Sequence, residues 1–135
     1  MRRAAMAIAT ATAVFLLALT GCATACPAIG WINALTVDTS AIDGVAELQF
    51  CVDDECSPRA GETPPTGSVS TMFWADQDGA EWTLNLDMRA PETVTIRLFG
   101  ADGALLHESE HAIDWTAPTG QCGGASTAPP LILEP

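Results

Sequence analysis

The chain has 135 residues and a formal charge of −12, from five arginines, no lysine and 17 Asp+Glu. That length fits one domain and excludes a multidomain enzyme or a protein of many membrane spans. The shortage of cations argues against nucleic acid, whose phosphates need Lys and Arg partners, and against docking on anionic lipid by charge.

The N-terminus reads Met1-Arg2-Arg3, then an apolar run over residues 4–19, then Leu19-Thr20-Gly21-Cys22. A basic start followed by a short apolar stretch reads as a secretory signal helix that is cleaved. The run is shorter than the ~20 residues of a bilayer span, and Thr10 and Thr12 interrupt it. Leu19-Thr20-Gly21-Cys22 resembles the lipobox of bacterial lipoproteins. The resemblance implies cleavage between Gly21 and Cys22 and a diacylglycerol thioether on Cys22, the new first residue. Arg2-Arg3 lacks the rest of a twin-arginine motif, so the general secretory route is expected. Two acyl chains anchor stably where one is marginal. The expected location is the extracytoplasmic face of the cell membrane, held by lipid and not spanning. Removing residues 1–21 takes away two arginines and leaves 114 residues at −14.

Residues 22–30 are expected to form a lipidated tether and residues 31–135 a β-sandwich domain. With Cys22 assigned to lipid, Cys26, Cys51, Cys56 and Cys122 remain, an even number that reads as two disulfides in an exported chain. Three pairings exist. Asp53-Asp54 as a two-residue hairpin turn sets Cys51 opposite Cys56. That favours Cys51–Cys56 with Cys26–Cys122, and Cys26–Cys51 with Cys56–Cys122 is the competing arrangement. Zinc is the other use of four cysteines, but no C-x₂-C spacing occurs.

Residues 31–37 are predicted to form a strand and 38–44 a turn. Residues 45–52 alternate, with Ala46, Leu48, Phe50 and Val52 on one face and Glu47 and Gln49 on the other. Residues 57–67 hold three prolines and two glycines and read as a loop. Residues 69–75 are β-branched and aromatic, a further strand. Asp76-Gln77-Asp78-Gly79 reads as a turn. Residues 82–88 place Trp82, Leu84, Leu86 and Met88 inward; residues 93–99 do the same with Val94, Ile96 and Leu98. Asp102-Gly103 is a hairpin signal, and a last long strand covers residues 104–113. The tail ends in the apolar Leu131-Ile132-Leu133. About seven short strands with turns every 8–12 residues, and no amphipathic helix, predict an all-β chain: an antiparallel, immunoglobulin-like β-sandwich.

The order of lipobox, a Cys26-to-Trp31 opening, a strand-rich middle and a late Cys122-Gly123-Gly124 resembles small lipoproteins of high-GC Gram-positive (actinobacterial) cells. The resemblance covers nearly the whole chain, though only the lipobox is specific. It brings no activity with it.

Four groups of residues invite a chemical reading. His107-Glu108-Ser109-Glu110-His111 matches H-E-x-x-H, which on a helix aims two imidazoles at one zinc with Glu108 as general base. On a strand the two histidines stand ~13 Å apart, and only Asp114 and Glu134 follow as a third ligand. A metal-dependent hydrolase using His107, Glu108 and His111 is therefore the weaker alternative. Asp76, Asp78 and Glu81 around Gly79 resemble a fragment of a Ca²⁺ loop, but Asp and Gly are also ordinary turn residues. Asp53, Asp54 and Glu55 form a second acidic turn, read as solvated. Trp31, Trp74, Trp82 and Trp115 suit a sugar-binding platform if exposed, and a core if buried. No nucleophile motif, catalytic constellation, metal site or cofactor motif emerges. The sequence predicts a lipid-anchored binding or structural module at the envelope, not an enzyme. It has a protein or cell-wall partner of unspecified kind, or serves as an accessory subunit of an envelope complex.

Overall fold

The computed structural model describes residues 25–62 and 73–135. The signal segment, the Gly21/Cys22 cleavage site and residues 69–72 of an expected strand lie outside the described residues. Eight strands occur in chain order: β1 (Ala34–Asp38), β2 (Glu47–Val52), β3 (Glu55–Cys56), β4 (Trp74–Asp78), β5 (Glu81–Asn85), β6 (Thr93–Phe99), β7 (Leu105–Ala112) and β8 (Leu131–Ile132). No helix appears among the described residues. The strands form two four-stranded sheets, β4-β5-β1-β8 and β3-β2-β6-β7. Every pairing is antiparallel except that of β1 with β8.

Period-2 alternation sets the inner faces. β6 buries Val94, Ile96 and Leu98, β5 buries Trp82 and Leu84, and β1 buries Leu35 and Val37. These side chains join Leu48, Phe50, Val52, Phe73, Leu86 and Leu133 in one hydrophobic cluster between the sheets. The layered result is a β-sandwich-like fold. Three outward strand residues are also buried, Gln49 and Cys51 on β2 and Phe99 on β6. Phe99 lies on the solvent side of β6, and the Arg59 guanidinium covers it, 3.6 Å from the ring centroid.

Several boundaries differ from those the sequence predicts. The first strand begins at Ala34, not Trp31, because the backbone of Asn33 bonds the bend at residues 86–87 instead of a ladder partner: its N–H donates to Asp87 C=O and its C=O accepts from Leu86 N–H. Asp76, Gln77 and Asp78 belong to β4, not to a turn. The β4–β5 hairpin needs only Gly79 and Ala80 to reverse the chain. Met88 points outward, 65% exposed, since Asp87 takes a left-handed φ of 56° and the chain leaves the sheet at Leu86. Ala46 is exposed because it precedes β2.

Two disulfides close the fold. Cys51 and Cys56 face each other across the β2–β3 hairpin. Cys26 and Cys122 join the first and last described segments across a sequence separation of 96.

Candidate functional site

Among the described residues, one open side of the sandwich follows from the shortness of β3. It pairs only with Cys51 and Val52. The start of β2 and the edge strand β4 therefore leave a groove between the sheets. Ala46, Glu47 and Leu48 line it from β2, Trp74, Ala75 and Gln77 from β4, and Pro58 and Ala60 from the loop after β3, around a volume of about 370 Å³. That is the size of a small-ligand site. The loop wall is pinned: Glu47 accepts hydrogen bonds from the Arg59 guanidinium (3.1 Å) and from Ala60 N–H. On the far side Trp74 donates its indole N–H to Asp76 (2.9 Å), which also accepts from Asn85 Nδ2.

Trp82 completes the lining. It is 5% exposed, and among the described residues its Nε1–H has no hydrogen-bond partner. Trp115, by contrast, donates to Pro91 C=O at 2.8 Å. A buried indole N–H left unpaired costs on the order of 1–3 kcal/mol. The nitrogen is itself fully buried, so it lies behind the groove wall and not on its open surface. Of the four tryptophans, Trp82 is core, Trp31 and Trp74 are partly exposed, and Trp115 packs half-buried on the core.

The H-E-x-x-H residues form a different arrangement. They lie on β7, a strand. Cross-strand pairing of His107 with Leu98, Ser109 with Ile96 and His111 with Val94 puts all three side chains on the inner face of their sheet. Both imidazole Nε2 atoms meet the Ser109 hydroxyl, at 2.9 Å from His107 and 2.8 Å from His111. The Cα spacing of a strand thus keeps the histidines apart, while their ring tips converge on one oxygen. Glu108 projects from the opposite face and pairs with Arg97. The motif's general base is on the wrong side of the sheet for zinc chemistry. His111 titrates below its ordinary value, chiefly because burial disfavours the imidazolium and secondly because His107 adds like-charge repulsion.

The acidic candidates disperse. Asp76 is bonded to Trp74 and Asn85. Asp78 and Glu81 face each other across the β4–β5 hairpin, with Asp38 on the other side of Glu81. Asp53 and Asp54 make the β2–β3 turn, Asp53 at a φ of 52°, and Glu55 pairs with Arg89. Among the described residues no group of three or more His, Cys, Asp and Glu is placed to hold a metal ion.

Sequence reasoning missed the groove, because it depends on where β3 stops. It also missed the His–Ser–His row, although H-x-S-x-H at period 2 signals a shared face. Compared with protein-family models, with curated proteins and with solved structures, the chain matches none.

Proposed function

We propose that the chain is a lipid-anchored, extracytoplasmic binding module. Cys22 holds it to the membrane, and the Trp74–Trp82 groove takes a neutral, hydroxyl-rich ligand of saccharide type at the cell envelope. The observation that carries the reading is the groove itself, of small-ligand size and lined by both Gln77 and apolar side chains. Gln77 supplies a polar contact for a sugar hydroxyl, and Ala46, Leu48, Pro58 and Trp82 supply an apolar wall. A ligand rich in carboxylates is disfavoured by Glu47 and by the strongly acidic chain. The immunoglobulin-like reading rests on strand order. β3-β2-β6-β7 follows the C′-C-F-G order and β4-β5-β1 the D-E-B order, with β8 where the A strand stands. The lipid anchor rests on the Leu19-to-Cys22 lipobox.

Two experiments test the two halves. Cys22→Ala moves the protein from the membrane to the soluble fraction and removes the mass of the lipid; unchanged retention and mass overturn the anchor. Neutral chito-, manno- and arabino-oligosaccharides are titrated against tryptophan emission. At least one gives saturable binding that Gln77→Ala weakens about tenfold, the equivalent of one hydrogen bond near 1.4 kcal/mol. Absence of binding by the whole panel overturns the saccharide reading.

A further inference from the structure

The end of the domain nearest the anchor has its own surface chemistry. Ile29 is 59% exposed, Trp31 41% and Met88 65%. The three line one shallow hollow of about 270 Å³, together with Gly30, Asn33, Gly124 and Ser126. The hollow is held in shape. Gly30 leaves room for Met88, whose Sδ would lie 2.6 Å from a Cβ at that position. Asn33, buried beneath, bonds the 86–89 bend on one side and Ser126 N–H on the other. Cys26–Cys122 ties the two outer segments covalently.

Charge distribution points to the occupant. No charged residue occurs from Cys22 to Val37 or from Trp115 to Leu133, in a chain whose formal charge is −12. Those are the two segments that the disulfide joins. Asp87 and Arg89 flank Met88, and Arg89 is paired with Glu55. The acidic remainder of the domain is repelled by anionic headgroups, so a neutral apolar surface is the one that can approach them. Chain length supplies proximity. Cys26 is four residues beyond Cys22, and an extended chain spans at most about 3.6 Å per residue, so the disulfide stays within roughly 14 Å of the lipidated residue.

We infer that the Ile29–Trp31–Met88 hollow is a membrane-contact surface that seats the domain on the outer leaflet beside its own lipid anchor. The inference rests on the lipid-anchored reading above. Trp31 lies at headgroup depth, where an amphipathic ring is favoured, and Ile29 and Met88 enter the acyl boundary. The domain then stands with a fixed end down, and the β1 end that carries β8 faces away from the bilayer.

The test uses the full lipidated protein, reconstituted in phosphatidylcholine–phosphatidylglycerol vesicles with and without dibrominated acyl chains. Bromine quenches nearby tryptophan. Wild type is quenched by the brominated lipid, and Trp31→Phe loses at least half of that quenching. Ile29→Ser with Met88→Ser reduces it about twofold or more. Ile132→Ser, an equally exposed apolar change on β8, leaves it unchanged. Each variant is checked for an unaltered thermal midpoint, so that misfolding is not mistaken for lost contact. If wild type floats with vesicles but shows no quenching, the contact surface is overturned and the anchor stands. A chain that shows no quenching and sediments as a dimer has the hollow occupied by a second copy, which also overturns it. Failure of wild type to float overturns the anchor itself, and the inference with it.

Discussion

Asn33 is the polar joint of the fold. It is 5% exposed within a largely apolar stretch. Its Nδ2 donates to Arg89 C=O at 2.9 Å and its Oδ1 accepts from Ser126 N–H at 2.7 Å. Its backbone N–H donates to Asp87 C=O and its C=O accepts from Leu86 N–H. One residue thereby holds the entry segment, the bend after β5 and the C-terminal segment. Asn33→Ala keeps the two backbone bonds and deletes the two side-chain bonds. Each deleted bond is worth about 0.5–1.5 kcal/mol net, and a partner left without water adds more. The expected loss is about 2–4 kcal/mol, from a total stability on the order of 5–15 kcal/mol. Asn33→Asp is expected to cost a similar amount: it keeps the bond from Ser126 but turns an oxygen toward Arg89 C=O. Urea unfolding followed by tryptophan emission, with disulfides intact, measures both through a lower midpoint at unchanged slope. Amide exchange at Ser126 should quicken in the alanine variant. A loss below ~0.5 kcal/mol for Asn33→Ala would refute the joint.

Three further outcomes are expected. Cys26→Ser with Cys122→Ser releases a loop of separation 96 and lowers stability by about 4–5 kcal/mol on the loop-entropy model, seen as a fall in the urea midpoint; a loss under ~1 kcal/mol counts against that account. His111 has a folded-state pKa below its ordinary 6.5, so the unfolded chain takes up its proton first. Its contribution is complete above pH 6.5 and is lost as pH falls below that value. His111→Gln should flatten the thermal midpoint between pH 7 and 5, and an equal slope in the variant sinks the assignment. Glu81 stands between Asp38 and Asp78 at one register across three strands. Glu81→Lys should therefore stabilise by roughly 0.5–1 kcal/mol at low salt, with the gain shrinking at 0.5 M NaCl; a gain independent of salt argues against charge as the cause.

Where residues act through the pleat alone, the sequence reveals them. Val94, Ile96 and Leu98, and Trp82, Leu84 and Leu86, are apolar at every second position and are buried as that period requires. What the pattern cannot express is a residue whose burial comes from outside its own strand. Phe99 breaks the alternation and is buried because Arg59, forty residues earlier, lies on it. Asn33 reads as one polar residue in an apolar strand, and its partners are 53 to 93 residues away. Met88 continues the inward parity of β5 on paper, but the left-handed Asp87 ends that parity one residue sooner. The groove is hidden for the same reason. Its existence depends on β3 ending at Cys56, a length that no local propensity announces.

The His107–His111 stretch shows how a motif acquires its meaning from the turn before it. Gly103, at a φ of 78°, closes the hairpin between β6 and β7 with Gly103 N–H bonded to Gly100 C=O. Once that turn is made, β7 must continue β6 as its antiparallel partner, and residues 107–111 inherit a period of two. Two consequences follow together. The odd positions turn inward, so Ser109 comes to lie between the imidazoles as a shared hydrogen-bond partner. The even positions turn outward, so Glu108 meets Arg97 at the surface. On a helix the same letters would put His107, Glu108 and His111 around one ion. The hydroxyl carries a single proton, so with both rings neutral it donates to one Nε2 and accepts from the other. The row is thus polarised in one direction along the strand, and the imidazole that accepts the serine proton is the one whose protonation must break the row's order.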